Sequence, residues 1–286
     1  VMSQLAAQHG AVNLGQGFPD FPVPERLIDA IERAVDHVHI LFYIWLPDHS
    51  GQKVAHAVSR AAQRGVECRV IVDALGSRLL VRSPLWAQMQ EAGAECVTAF
   101  PWGLPFISIL FQRLDLRNHR KILVIDNAMA FTGSRNCADM AFAVKPRFAP
   151  WVDILARIRG PVVRQMQAVF LQDWMTATGA DLGAMLTHVL PPGGPDQIAQ
   201  VLPTGPDRHV AGLSDAMMTL ILSARRSITI SNPYYVPDQA VDAALRAAAA
   251  GLSLSAGGGL ARRLRPAGRS RQHRQLHRRG RPPQQA

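Results

Sequence analysis

The sequence predicts a layered α/β fold with a mostly parallel or mixed sheet, and three observations carry that expectation. From residue 27 onward the apolar periodicity switches back and forth between helical and strand spacing, as strands joined by crossover helices require. Ile122-Leu123-Val124-Ile125 is apolar and β-branched enough to be a buried strand of the same sheet. Near residue 210 the order of elements starts again.

In order along the chain, Ile28, Ile31 and Val35 recur at helical spacing, and Val38 to Trp45 forms a strand run. Val54 to Arg64 is alanine-rich and helical and stops at Gly65. Cys68 to Ala74 reads as a second strand, and Pro84 to Ala92 as a helix with Gly93 just beyond it. Phe100 to Leu110 is an unusually apolar connection, broken by Pro101, Gly103 and Pro105. It suits either a lid packed on the core or a surface that accepts acyl chains beside a site.

The repeat pairs Ala34, Val38, Ile40 and Tyr43 to Asp48 with Ala224, Ile228, Ile230 and Pro233 to Asp238, and Arg60 to Gly65 with Arg246 to Gly251. The offset is 190 at Pro47/Pro237 and 186 at Gly65/Gly251, so a second motif histidine would fall beyond the last residue. After Gly251 the expected strand gives way to Leu-Ser-Leu-Ser-Ala-Gly-Gly-Gly and then to an arginine, proline, glycine and glutamine run. That composition cannot bury a core and is expected to be disordered. It resembles out-of-frame translation of a GC-rich gene.

The net charge of +10 is concentrated in this tail: residues 251–286 carry nine arginines and no lysine or acid, which leaves the first 250 residues at +1. Basicity therefore gives no reason to expect a nucleic-acid partner. Cys68, Cys96 and Cys137 are odd in number and widely spaced, so buried thiols are expected rather than a disulfide framework or zinc knuckle. No apolar window reaches membrane-span length, since the strongest, Val38 to Leu46, is broken by His39 and stopped by Pro47. The first residues lack the charged and apolar regions of a secretory leader.

The chemistry concentrates in Asn118-His119-Arg120-Lys121-Ile122-Leu123-Val124-Ile125-Asp126 and the following Gly133-Ser134-Arg135-Asn136. The period of two puts His119 and Lys121 on one face of the strand, and the Gly133-Ser134 turn returns Asn136 toward it. The bland alternative is an exposed pair at the end of an ordinary strand. An imidazole can attack phosphorus and hold a covalent intermediate. Lysine, amide and hydroxyl donors stabilise the charge on the equatorial oxygens, and a carboxylate can fix the imidazole tautomer. This chemistry suits a phosphodiester and requires neither metal nor cofactor.

His119, Lys121, Asp126, Gly133, Ser134 and Asn136 match the HxKxxxxD plus GSxN signature, so the chain resembles the phospholipase D superfamily. Leu41 to Trp45, Leu114 to Asn118, Ala149 to Asp153 and Phe170 to Trp174 make it most similar to bacterial cardiolipin synthases, over about residues 27–250. The resemblance implies a phospholipase D-like α/β sandwich, complete over residues 27–205, with a partial second copy at 206–250 and a tail at 251–286. It implies His119 as nucleophile, Lys121 and Asn136 as phosphate donors, Ser134 as a weaker donor and Asp126 as the group orienting the imidazole. In the family a second motif supplies the acid for the leaving alcohol.

The implied activity is transfer of a phosphatidyl group from one phosphatidylglycerol to another at the cytoplasmic face of the bacterial inner membrane, as a peripheral protein, with loss of the second motif impairing it. A single-motif phosphodiesterase or nuclease acting as a homodimer, and a non-catalytic fragment, are the alternatives. Residues 1–26 resemble instead the N-terminal arm of a fold-type I aminotransferase, through Ala11-Val12-Asn13-Leu14-Gly15-Gln16-Gly17-Phe18-Pro19. That enzyme class needs a Schiff-base lysine. Lys53, Lys121 and Lys145 are the chain's lysines, and none stands in that family's motif, so the segment reads as a fusion or gene-model scar.

Overall fold

The structure is a computed structural model, and it describes residues 25–100, 117–139, 153–187, 198–205, 212–231, 236–251 and 253–257. Most of the aminotransferase-like segment, the apolar connection after Phe100 and the arginine-rich run from residue 258 lie outside the described residues. The chain divides into two units, 1–207 and 208–286.

In the first unit, α1 (Glu25–Glu32) buries Leu27 and Ile31 and leads into β1 (His37–Phe42), whose residues are all buried. The first two residues of α1 thus belong to the fold rather than to the foreign segment. Val35, expected on the helical face, lies beyond the helix and is 83% exposed. α2 (His49–Gln63) starts at the Asp48 carboxylate, which accepts from the Gly51 amide at 2.9 Å, and ends before Gly65, whose φ of 90° halts the helix. β2 (Glu67–Asp73), the short α3 (Arg78–Val81), α4 (Pro84–Glu91) and β3 (Glu95–Ala99) follow. Among the described residues of this unit, β4 (Lys121–Ile125), β5 (Met129–Gly133), β6 (Leu155–Arg159) and α5 (Val162–Thr178) come next.

The sheet runs β3-β2-β1-β4-β5-β6, parallel across β1, β2 and β3 and antiparallel from β1 through β6. It is the mixed sheet expected, with helices on both faces. Strand alternation decides which side chain enters which core. Val38, Ile40, Phe42, Val70, Val72, Leu123 and Ile125 pack with α1, α2 and α4, whereas Leu41, Ile71, Ile122 and Val124 pack under Val163, Met166, Phe170 and Trp174 of α5. The α5 face also takes in His39, fully buried and stacked on Phe170 at 4.6 Å. Its Nε2 accepts from Arg69 at 3.2 Å, so its Nδ1–H donates to the Gln167 carbonyl oxygen at 3.1 Å.

β1 stops at Phe42 rather than at Trp45 because polar groups from elsewhere capture its continuation. Ser77 Oγ donates to the Tyr43 carbonyl and accepts from the Trp45 amide, and Cys137 pairs with Ile44 and Leu46. Cys68 and Cys137 are buried and Cys96 is partly buried, all unpaired, and burial pushes the Cys68 and Cys96 thiols up to about 12.

In the second unit, α6 (Gly212–Ser223), β7 (Ser227–Ser231), α7 (Gln239–Gly251) and β8 (Ser253–Gly257) repeat the order α1-β1-α2-β2. β7 and α7 begin 190 residues after β1 and α2, and β8 begins 186 residues after β2. The parallel register Ser227↔Ser253 is the image of His37↔Glu67. Ile221, Val241, Ala244 and Leu245 form its small core. The expectation of disorder directly after Gly251 is corrected here. Pairing of β8 on β7 is a main-chain ladder, and the Ser-Leu-Ser alternation is compatible with it despite the glycines that follow.

Candidate active site

The segment before β4 is pinned from both layers. Arg117 makes a bidentate pair with the buried Asp73 at the end of β2, at 3.0 and 2.9 Å, and Asp73 also accepts from the Leu75 and Gly76 amides. On the other side of the sheet, Asn118 donates to Asp173 of α5 at 3.0 Å and Arg120 pairs with the same carboxylate at 2.5 Å. His119 sits between these anchors and is itself exposed. A fixed backbone carrying an accessible side chain is what a positioned nucleophile needs.

The imidazole of His119 stacks on Tyr43, with ring centroids 3.9 Å apart and planes at 16°. Lys121 Nζ donates to the His119 carbonyl at 2.6 Å and lies 5.9 Å from the centre of the same tyrosine ring. The expected grouping of imidazole and ammonium is thus present, with an aromatic floor beneath both. Partial burial lowers the His119 pKa below its ordinary value, and the neighbouring Lys121 and Arg117 charges lower it further while Asp73 opposes them. Burial also lowers the Lys121 pKa, against the Asp153 carboxylate, which raises it.

The glycine-serine turn ends β5 against the residues leading into β6. A Cβ at Gly133 would lie 1.9 Å from the Ile154 carbonyl oxygen, so the approach requires glycine. It lets the Ser134 amide donate to Ile154 at 3.0 Å, while Ser134 Oγ donates to Asp153 at 2.8 Å. Asn136 Oδ1 accepts from the Ile44 amide at 3.3 Å, which leaves its NH2 group as the donor end. The turn is thus tied to the Tyr43 segment by Asn136 through Ile44, and Asp153, which accepts from Ser134, acts electrostatically on Lys121.

Asp126 does not join them. It follows the last residue of β4, and a five-residue strand at about 3.3 Å per residue holds it about 16 Å from the His119 end. Its carboxylate accepts from the Val35, Asp36 and His37 amides at 3.1, 2.9 and 3.0 Å, from a backbone with φ of 51°. The imidazole-orienting role expected of it is corrected to a structural one. Tyr43 and Asp153, in contrast, gained no role from the sequence, although both lie in stretches that carry the resemblance. Among the described residues no cluster of histidine, cysteine and acidic side chains could hold a metal ion, and no helix is long and apolar enough to cross a membrane.

A family profile described as cardiolipin synthase, PLD-like domain, matches residues 27–174. Cardiolipin synthase A of Edwardsiella ictaluri is 36% identical over 234 residues, covering 80% of this chain and 48% of that protein. The major cardiolipin synthase ClsA of Bacillus subtilis is 34% identical over 226 residues, covering 78% and 46%. The chain spans about half the length of the curated relatives it matches. The crystal structure of phosphatidylserine synthase from Haemophilus influenzae matches in fold, with a TM-score of 0.53 at 13% identity over 81% of this chain and 58% of that one.

Proposed function

Because this chain belongs to the cardiolipin synthase, phospholipase D-like domain family, we propose that His119 is the nucleophile of a phosphatidyl transfer between two phosphatidylglycerol molecules. The observation that carries the proposal is an exposed imidazole, biased toward its neutral form, held flat on Tyr43 with the Lys121 ammonium beside it. The neutral ring attacks phosphorus through Nε2, an N–P bond forms, and the P–O bond to the departing glycerol breaks. The hydroxyl of a second phosphatidylglycerol then attacks the phosphohistidine, giving its proton to the base left when the leaving glycerol was protonated, and the N–P bond breaks to free the imidazole and give cardiolipin. Lys121 and the Asn136 NH2 group stabilise the equatorial oxygens in both steps, while the Ser134 hydroxyl, donating to Asp153, holds the turn in place.

The leaving glycerol takes its proton from an acid opposite the nucleophile, because in-line displacement puts entering and leaving groups on opposite sides of phosphorus. One ring cannot fill both places. The 286 residues hold one His-x-Lys pair, so the acid belongs to a second such unit, of which residues 206–250 are the opening elements. A lipid substrate fits the exposed Phe100 and Ile154, 41% and 68% accessible, which flank Arg117 and Ser134 respectively and offer apolar contact at a bilayer surface.

In a phosphatidylglycerol turnover assay, His119→Ala is expected to abolish activity and Lys121→Ala to lower it about 10²–10³-fold. Mass spectrometry should find a phosphatidyl adduct on His119 alone. Undiminished turnover in His119→Ala would overturn the assignment.

A further inference from the structure

A second basic site lies at the other end of the same strand. A cleft of about 300 Å³ opens beside the end of β4, lined by Arg26 of α1, by Arg33 in the turn just after that helix, by Arg157 and Arg159 of β6, and by the carboxylates Asp29 and Asp126. Its floor is apolar, with Ile125, Ala128 and Met129. Arg26 stands in the first turn of α1 and Arg33 follows its last residue, while Arg157 and Arg159 alternate onto the sheet face that also carries Leu155. Across the ladder they stand opposite Phe131 and Met129, which belong to the core on the α1 side.

The charges in this cleft do not balance. Among the described residues none of the four guanidiniums makes an ion pair or hydrogen bond. Four guanidiniums thus face two carboxylates, Asp29 and Asp126, and Asp126 is held by the Val35, Asp36 and His37 amides, so positive charge is in excess. Guanidinium forks match phosphate oxygens two at a time, and the volume suits a small anion with a compact organic body. We propose that this cleft binds a phosphate-bearing anion at a site separate from His119, with Arg157 and Arg159 as its principal ligands. The nucleophile and the cleft lie at opposite ends of β4, so one phosphate cannot serve both.

The test silences the catalytic end and reads the other. In the full chain carrying Lys121→Ala, calorimetric titration with inorganic pyrophosphate is expected to give saturable binding. Adding Arg157→Gln and Arg159→Gln should weaken it at least tenfold, with circular dichroism melts confirming that both proteins are folded. Flotation with vesicles of phosphatidylglycerol and phosphatidylcholine separates the sources of the phosphate. Equal flotation with and without the two arginines assigns a soluble ligand, and flotation lost with them assigns a lipid headgroup. Absence of pyrophosphate binding together with unchanged flotation, or binding indifferent to both arginines, would overturn the proposal.

Discussion

In the proposed mechanism the protonation state of His119 decides whether it can attack, and its surroundings favour the free base. Burial is the largest influence, followed by the Lys121 charge, with Arg117 also lowering the pKa and Asp73 opposing. Turnover is therefore expected to be level near neutrality and to fall only as pH drops through a midpoint below the ordinary 6.5 of imidazole. Lys121→Met should move the His119 midpoint upward in an NMR titration, a readout independent of activity. A wild-type midpoint at or above 6.5 would contradict the electrostatic picture. The grouping of His119 with Lys121 was legible in the sequence because their two-residue spacing is local. The Tyr43 stack was not legible, since it joins residues 76 positions apart that meet only when β1 and β4 pair.

At the scale of elements, Asp126 ties the end of β4 to the turn between α1 and β1. Seven residues separate it from His119, and on an extended strand that spacing carries a side chain to the far end. The motif's regularity thus reports the length of β4 and not a catalytic contact. Asp126→Asn is expected to lower unfolding free energy by about 1–3 kcal/mol in denaturant melts, with turnover retained by the folded fraction. A loss of turnover equal to that of His119→Ala, with unchanged stability, would restore the catalytic role. Helix ends at Gly65 and Gly93 were readable because each ends on a local φ near 90° or 102°. The end of β1 was unreadable because Ser77 and Cys137, distant in sequence, set it.

For the whole molecule, the repeat was legible through the helix ending at Gly251 but not in the strand that follows it, and its functional weight rests on how units associate. The 286-residue chain is expected to turn over phosphatidylglycerol poorly as a monomer. Light scattering run beside the assay checks this: full turnover by a monomer would refute the need for a second unit, and turnover confined to a dimer would assign the acid to a partner copy. Stability should also respond to acid through His39. Burial, the neighbouring His37 and Arg69 lower its pKa well below 6.5, whereas the Gln167 hydrogen bond opposes them. Below 6.5 the unfolded chain therefore takes up a proton that the fold refuses. Melts from pH 7.5 to 5 should lose stability by up to about 1.4 kcal/mol per pH unit from this group, a component that His39→Asn removes.

The sheet order has a further consequence for the chain as it is synthesised. β1 is an interior strand, yet its neighbour on one side, β4, follows about 80 residues later. At roughly 5–20 residues per second of translation, the edge of β1 waits several seconds on the ribosome with its amides and carbonyls unpaired, a template for any other extended chain.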